Sequence, residues 1–581
     1  GATITSSLGA GGPRTINAQL DNQGTITFNQ PLALNKTGAA HTNSGTINVT
    51  GADWTLTQSG TGASFTNTGT VTIGASRTWT VNGGALNLTA GTVSGAGTLA
   101  LLNTTANFAT GFSNSVTALA LNNVIVNGPG TLTNAATQTQ SMINTTINAP
   151  LVNQGLLIYD GTGSFTNTFT TTTGSTLRLQ GSNNTGTSNL TIANGFTNNG
   201  TIDLTTVVSS YTDVLTVTTG PLTNAAGGTI TSSVGAGGSR TINALLDNKG
   251  LIIFNQPLAL TKASAAHTNS GTISLTGADW TLSQSGTGAS LTNTGTIAIP
   301  TGRTWSANGG TLNFASGTVG GAGTLSLVTV TLNLGAGFSN GVAALALSNS
   351  IVNGPGTLTN APTQALSMIN TTINAPLVNN GLLVYDGTGS FTGTFTANSG
   401  STLRLQGSNQ TGTSNLTIAN GFTNNGAIEL TTIVSSYSDF LTVSSGTLIN
   451  AAGGTISSLV GAGGTRTIAA TVNNQGSLSV ATGGTGLLTI NGNLTTSGSI
   501  DLKLGGTTAG TQYDQLAVTG SATLGGTLNV TLVNSFVPVT NDRFTVLTMT
   551  SFSGRFATTN VPPSIISAPS YSPTSVVLVG K

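Results

Sequence analysis

The sequence predicts an all-β protein whose strands wind into a parallel β-solenoid, and three observations carry that expectation. The first is composition. Of 581 residues, 81 are Gly, 15 are Pro, none is Cys and only 5% are charged, against about 25% in an ordinary soluble domain. The second is a long repeat that runs without gaps. The third is a short phrase inside it, alternating apolar and polar residues with the period of a strand.

Composition removes several classes at once. Gly and Pro together stay below the roughly 25–30% of low-complexity chains, and there is no G-X-Y period or run of like charge, so disorder and collagen are excluded. Fourteen Lys or Arg against 13 Asp or Glu leave a formal charge of +1. Without a basic cluster nothing neutralises phosphates or anionic lipid headgroups, so no nucleic-acid or membrane-surface partner is expected. No stretch approaches the roughly 18 apolar residues of a spanning helix. Gly1-Ala2-Thr3-Ile4-Thr5 lacks the basic and apolar regions of a secretory signal, so a mature chain or a fragment is expected to begin there. The absence of Cys removes disulfides and thiol chemistry without fixing a compartment.

Self-similarity decides the organisation. Thr3-Ile4-Thr5-Ser6-Ser7 returns as Thr229-Ile230-Thr231-Ser232-Ser233, Trp54 as Trp280, Trp79 as Trp305, and Tyr159-Asp160-Gly161 as Tyr385-Asp386-Gly387. The offset is constant, so 1–226 and 227–452 are two copies of one solenoid unit. A third copy opens at Gly453 and keeps register through Arg466, the counterpart of Arg14 and Arg240, before departing after Gly476. The expected division is therefore 1–226, 227–452, a truncated copy at 453–480, and a divergent C-terminal region at 481–581.

Within each copy the phrase is apolar-x-Asn-x-Gly followed by alternating residues. It reads Leu20-Asp21-Asn22-Gln23-Gly24-Thr25-Ile26-Thr27-Phe28, then His41 to Val49, then Phe65 to Ile73. In Thr-Ile-Thr-Phe the apolar residues share one face, as in a half-buried strand. Asn-x-Gly supplies the corner, Gly by tolerating positive φ and Asn by bonding its own backbone. Thr and β-branched residues dominate, and long helical patterns are absent. Short strands separated by Gly or Asn corners stack coil on coil, and the corner Asn should form amide ladders along the axis. A sandwich array would repeat at about 100 residues and a propeller blade at about 40–45; neither period is present. On the order of 20–25 coils at about 4.8 Å each would give a rod of roughly 100–120 Å.

Beyond residue 480 the phrase changes to Leu487-Leu488-Thr489-Ile490-Asn491-Gly492-Asn493-Leu494, then Tyr513-Asp514-Gln515-Leu516, Leu524-Gly525-Gly526-Thr527-Leu528 and Asp542-Arg543-Phe544-Thr545-Val546-Leu547. This run resembles the end of the β-helical region in bacterial autotransporter passengers, and the coil phrase resembles the repeats of filamentous-haemagglutinin-like exoproteins. The resemblance implies a right-handed β-helix and an extracellular or cell-surface location. No membrane barrel or sorting motif follows, and the N-terminal secretion domain of the haemagglutinin-like proteins is not evident. A cousin of Tyr513-Asp514 sits inside the units as Tyr211-Thr212-Asp213 and Tyr437-Ser438-Asp439, so each long unit is expected to end as the whole solenoid does.

Parallel β-helices include polysaccharide lyases and hydrolases, so chemistry must be looked for. Glycoside hydrolysis needs two carboxylates about 5–9.5 Å apart. No two acids lie closer than ten residues in sequence, the spacing of Asp203 and Asp213, and the signatures of pectin-degrading β-helices are missing. His41 and His267 fill slots that hold Leu20 or Phe65 in parallel phrases, which reads as core rather than metal ligation. Asp160-Gly161 and Asp386-Gly387 read as turns rather than Ca²⁺ sites, lacking repeated carboxylates. Trp54, Trp79, Trp280 and Trp305 follow the strand alternation and read as core rather than sugar platforms. Arg14, Arg240 and Arg466 each follow a Gly-rich corner and read as solvated. A flat ice-binding Thr array is not expected, because outward positions are mixed and coil length varies. No catalytic, cofactor or metal residue is therefore assigned.

The expected function is a non-enzymatic extracellular structural protein that assembles head to tail into surface or matrix fibres. Ser575-Val576-Val577-Leu578-Val579 would serve as the donor edge and the first coil as its receiver. An adhesin for carbohydrate or protein is the alternative, and a polysaccharide lyase or hydrolase the remote one.

Overall fold

The computed structural model describes residues 1–581 except 13, 110, 111, 114, 207, 209, 336, 337, 340 and 435. Among the described residues there is no helix; short strands, mostly parallel, stack as a β-solenoid of about 22 turns. The chain forms two compact units, 1–298 and 299–581.

In the first unit, the strands Thr3–Ser6, Thr25–Phe28, Thr46–Val49, Thr70–Ile73 and Thr92–Leu102 lie one on another, with Ile4, Ile26, Ile47, Val71 and Val93 in a single row. Along this row the register does not slip although successive coils differ in length. The difference is taken up in turns such as those at Gly38, Gly60 and Gly62, which adopt positive φ. Period-two alternation then sends the apolar row inward, where Ile47 and Val71 are fully buried, each such side chain stabilising by about 1.5–3 kcal/mol. Aromatic residues stack along the same axis. The Phe28 and Trp54 rings lie 4.9 Å apart, and Trp54 and Trp79 lie 4.9 Å apart and parallel within 2°.

The Asn of the phrase forms the expected ladder, but facing inward. Asn22 Nδ2 donates to Asn43 Oδ1 (2.6 Å), and Asn43 to Asn67 (2.7 Å). A longer ladder runs Asn198, Asn224, Asn248, Asn269, Asn293 across the junction of the two repeat copies. These amides are buried, so each bond also avoids the cost of an unpaired polar group. The Gly of the phrase is needed for a different reason than the one read from sequence. Gly24, Gly45 and Gly69 are absent from the positive-φ residues. Instead, a Cβ on Gly45 would sit 2.1 Å from the Gly24 carbonyl oxygen, and one on Gly69 2.1 Å from that of Gly45. Close stacking of the corners excludes a side chain.

The second unit repeats the pattern. Asn424 Nδ2 donates to Asn450 Oδ1 (2.9 Å), Asn450 to Asn474 (2.8 Å), and Asn474 to Thr496 Oγ1 (3.2 Å). The divergent end keeps the stack: Ser477, Ser499, Thr527 and Thr558 occupy one row. It then closes. Arg543–Thr548 pairs antiparallel with Ser575–Val579, whose other edge pairs antiparallel with Ser570–Ser572. Phe544, Val546, Leu547, Val576 and Leu578 are buried beneath. Ser575–Val579 is therefore not the free donor edge expected from sequence, because neighbours in its own chain occupy both of its edges.

Candidate functional site: buried carboxylates at the repeat corners

The Tyr-x-Asp phrase and its terminal cousin put Asp213, Asp439 and Asp514 in the interior, each 0% exposed. In all three a carboxylate oxygen accepts a backbone N–H from an earlier turn: Gly181 at 2.9 Å, Gly407 at 3.0 Å and Gly486 at 2.7 Å. Asp514 accepts a second, from Lys503 N at 2.8 Å. The next coil sets Arg240 opposite Asp213 and Arg466 opposite Asp439, and Arg466 Nε lies 3.1 Å from Asp439 Oδ2. Both guanidinium groups are buried, at 0% and 4% exposure. The solvated corner expected for them is overturned, because the loop Gly235–Gly238 and its counterpart fold over the side chain. Arg240 Nη1 donates to the Gly237 carbonyl (2.6 Å) and Arg466 Nη1 to that of Gly463 (2.7 Å).

Burial raises all three carboxyl groups. Asp213 is pushed up to about 8, against the opposing pull of the Gly181 N–H and Arg240, with Asp203 and Asp160 adding repulsion. Asp439 is raised to about 7, opposed by Arg466 and Gly407. Asp514 is raised to about 6, held lower by two backbone donors and Lys503. Carboxyls poised near neutrality suit proton transfer, but these face backbone and counter-charge. The neighbouring acids are also engaged. Asp160 accepts from Ser182 Oγ (2.5 Å) and Thr185 Oγ1, and Asp203 binds Arg178 at 2.9 Å.

The other residues singled out in the sequence lie in the core. His41 and His267 are 2% and 3% exposed, and each Nδ1 accepts a backbone N–H, from Leu20 and Leu246, at 3.1 Å. That requires a neutral ring, and burial lowers both, His267 to about 4. All four Trp are at most 1% exposed. Gly161 and Gly387 are turn residues with φ of 75° and 74°. Among the described residues no group of three or more His, Cys, Asp or Glu is placed to hold a metal ion.

Sequence reasoning missed two features. One is the Arg–Asp pairing, signalled only by Arg following Tyr-x-Asp one coil later. The other is a cleft of about 260 Å³ beside Arg466, walled by Leu459, Val460, Ala481, Thr485, Gly486 and Leu487. It offers aliphatic surface and backbone, while the guanidinium is spent on Gly463, Thr432 and Asp439. No protein-family model matches the chain, and a search of curated proteins finds no match.

Proposed function

We propose that this chain is a non-enzymatic, extracellular structural protein, a β-solenoid that self-associates into surface or matrix fibres. One observation carries the reading: clusters of chemically capable residues recur in the second copy with the same internal partners. Tyr159 donates to the Thr145 carbonyl and Tyr385 to that of Thr371, both at 2.8 Å. Asp160 is held by Ser182 and Thr185, and Asp386 by Ser408 and Thr411. His41 and His267 each cap one backbone N–H. A group duplicated with its partners and turned inward fits a structural tie better than a single reactive site. Low charge also removes a repulsion that would keep copies apart.

The adhesin reading draws on Leu8, Val234 and Val460, equivalent tips of the Gly-rich corners, which are 77%, 73% and 49% exposed. Negative-stain electron microscopy and sedimentation over a concentration series separate the two. Fibres that grow with concentration are expected. A monomer at every concentration that binds a glycan or protein array would favour the adhesin, and reducing-sugar release from polysaccharides would overturn both.

A further inference from the structure

The Gly-rich corner that folds over an Arg occurs in all three copies, but in the third it stays open. In the second copy Arg240 fills both arms of its fork. Nη1 donates to the Gly237 and Gly238 carbonyls at 2.6 and 2.5 Å, and Nη2 to Thr206 Oγ1 and the Ser233 carbonyl at 3.4 and 3.3 Å. Arg14 likewise holds the carbonyls of Gly11, Gly12 and Ser7. Arg466 places one N–H of Nη1 on Gly463 (2.7 Å), one of Nη2 on Thr432 Oγ1 (3.1 Å) and Nε on Asp439. A guanidinium has five N–H groups, and among the described residues no second acceptor takes the other N–H of either Nη. Leu459 and Gly464, which stand where Ser233 and Gly238 do in the repeat, line the cleft of about 260 Å³ instead, together with Arg466.

The covering coil explains the difference. In the repeat, Leu258 pairs with Arg240 only four residues after Phe254, and Ser232 Oγ donates to the Gln256 carbonyl at 2.6 Å, tying that turn to the corner. In the third copy, Leu488 pairs with Arg466 eight residues after Val480. The longer connection lets the strand Ser477–Thr482 run on until Thr482 pairs with Leu459, and Val460 N donates to the Thr482 carbonyl at 2.9 Å. The start of the Gly-rich loop is thus bonded to the following coil rather than to the guanidinium.

The resulting cleft joins two chemistries. Its walls include the side chains of Leu459, Val460, Ala481 and Leu487, and Val460 and Leu487 are 49% and 39% exposed. Beside them lies a guanidinium only 4% exposed with one uncommitted N–H on each Nη, the pair that can hold both oxygens of a carboxylate in a fork. The carboxylates nearby are already engaged: Asp439 on Arg466 Nε and the Gly407 N–H, Asp514 on the N–H groups of Gly486 and Lys503. Lys503 Nζ donates to the carbonyl of Ala481 in the wall, adding positive charge.

We propose that this cleft binds a small aliphatic monocarboxylate, with its two oxygens on Arg466 Nη1 and Nη2 and its hydrocarbon tail against Val460 and Leu487. The volume falls below the roughly 300–1,000 Å³ of drug-sized pockets, so the tail is short. The proposal does not depend on the fibre reading.

Calorimetric titration of the full chain with isovalerate tests it. One saturable site is expected, with isovaleramide, which has nearly the same shape and no charge, and acetate, which has the charge and no tail, each bound at least about tenfold more weakly. Arg466→Lys should weaken isovalerate binding at least about tenfold, because an ammonium cannot hold two oxygens in a fork. Arg240→Lys makes the same change at a closed corner and should leave the affinity unchanged. Val460→Trp, at the mouth of the cleft, should weaken binding, whereas Val234→Trp at the equivalent tip of the repeat should not. No saturable binding up to about 10 mM, equal affinity for the amide or for acetate, or an equal effect of Arg240→Lys and Arg466→Lys would overturn the proposal. If Arg466→Lys does not fold, the two Trp variants decide, and equal affinity in both overturns it.

Discussion

The corner at Asp213 and the corner at Asp514 use related phrases, bury the carboxylate equally and tie it to an earlier turn, yet they hold it differently. Asp213 has one backbone donor and a buried Arg in the next coil. Asp514 has two backbone donors and the charge of Lys503 nearby. The carboxyl with two donors is raised only to about 6, the other to about 8. Burial alone therefore does not set the proton affinity. Two backbone N–H groups and Lys503 offset part of the desolvation cost at Asp514, whereas at Asp213 one N–H and Arg240 are opposed by repulsion from Asp203 and Asp160.

The largest expected effect comes from emptying each corner. Asp213→Ala leaves the Gly181 N–H unpaired and the buried Arg240 without the carboxyl that faces it, at about 1–3 kcal/mol for the donor and more for the charged group. Asp514→Ala leaves two N–H groups unpaired but no fully buried cation, at about 1–3 kcal/mol for each donor. The comparison sharpens with a second change. Arg240→Met should recover part of the loss in Asp213→Ala, because the stranded charge is gone, whereas Lys503→Met should recover little in Asp514→Ala. Denaturant midpoints of the four variants measure this, and equal rescue at both corners would erase the distinction drawn between them.

The next effect is in pH. Both carboxyls are raised in the folded chain above an unfolded value of about 3.9, so between the two values the folded state binds the extra proton. Stability from each is fully present below about pH 4 and is lost as pH rises through the folded value. The loss runs to about pH 8 for Asp213 and to about pH 6 for Asp514. Asp213→Asn should flatten the fall in midpoint across the whole of pH 4–8, and Asp514→Asn only its lower part. A profile of Asp514→Asn that also flattens between pH 6 and 8 would show that its two donors and Lys503 do not offset burial as described.

Much of this architecture was legible in the sequence, for a definite reason. Alternation in Thr25-Ile26-Thr27-Phe28 fixes which side chains are inside, and the recurrence of Asn22, Asn43 and Asn67 at coil spacing fixes that they stack. Those properties are local or strictly periodic. The corners are not legible from sequence where the answer lies across coils. Whether Arg240 is solvated depends on what the coil beneath places opposite it and on how the loop from Gly235 folds, and coil lengths vary. At Gly45 the need for glycine is legible but its cause is not, since close approach to the Gly24 carbonyl is invisible in one strand's dihedral preferences. Ser575–Val579 reads as a free edge in sequence, because its pairing runs antiparallel to Arg543–Thr548 and breaks the parallel rule of the preceding coils.

The smallest effect extends the same comparison to the outward ladders. In the repeat, Asn107 Nδ2 donates to Asn87 Oδ1 at 2.8 Å and accepts from Asn127 at 3.0 Å, amide to amide. In the divergent end, Asn529 Nδ2 donates to the Asp501 carboxylate at 2.6 Å and accepts from Asn560 at 2.8 Å. Hydrogen bonds to a charged acceptor are shorter and roughly twice as strong as neutral ones, although solvent on these half-buried faces weakens the advantage. Asn107→Ala should cost about 0.5–1.5 kcal/mol and Asn529→Ala about 1 kcal/mol more. Only the second should shrink when Asp501 is also replaced by Asn, because an amide acceptor turns the terminal ladder into the repeat's kind. If Asn529→Ala costs the same with Asp501 or Asn at the head of the ladder, then carboxylates give the divergent end no advantage on its surface, and what carboxylates add there is confined to the buried corner at Asp514.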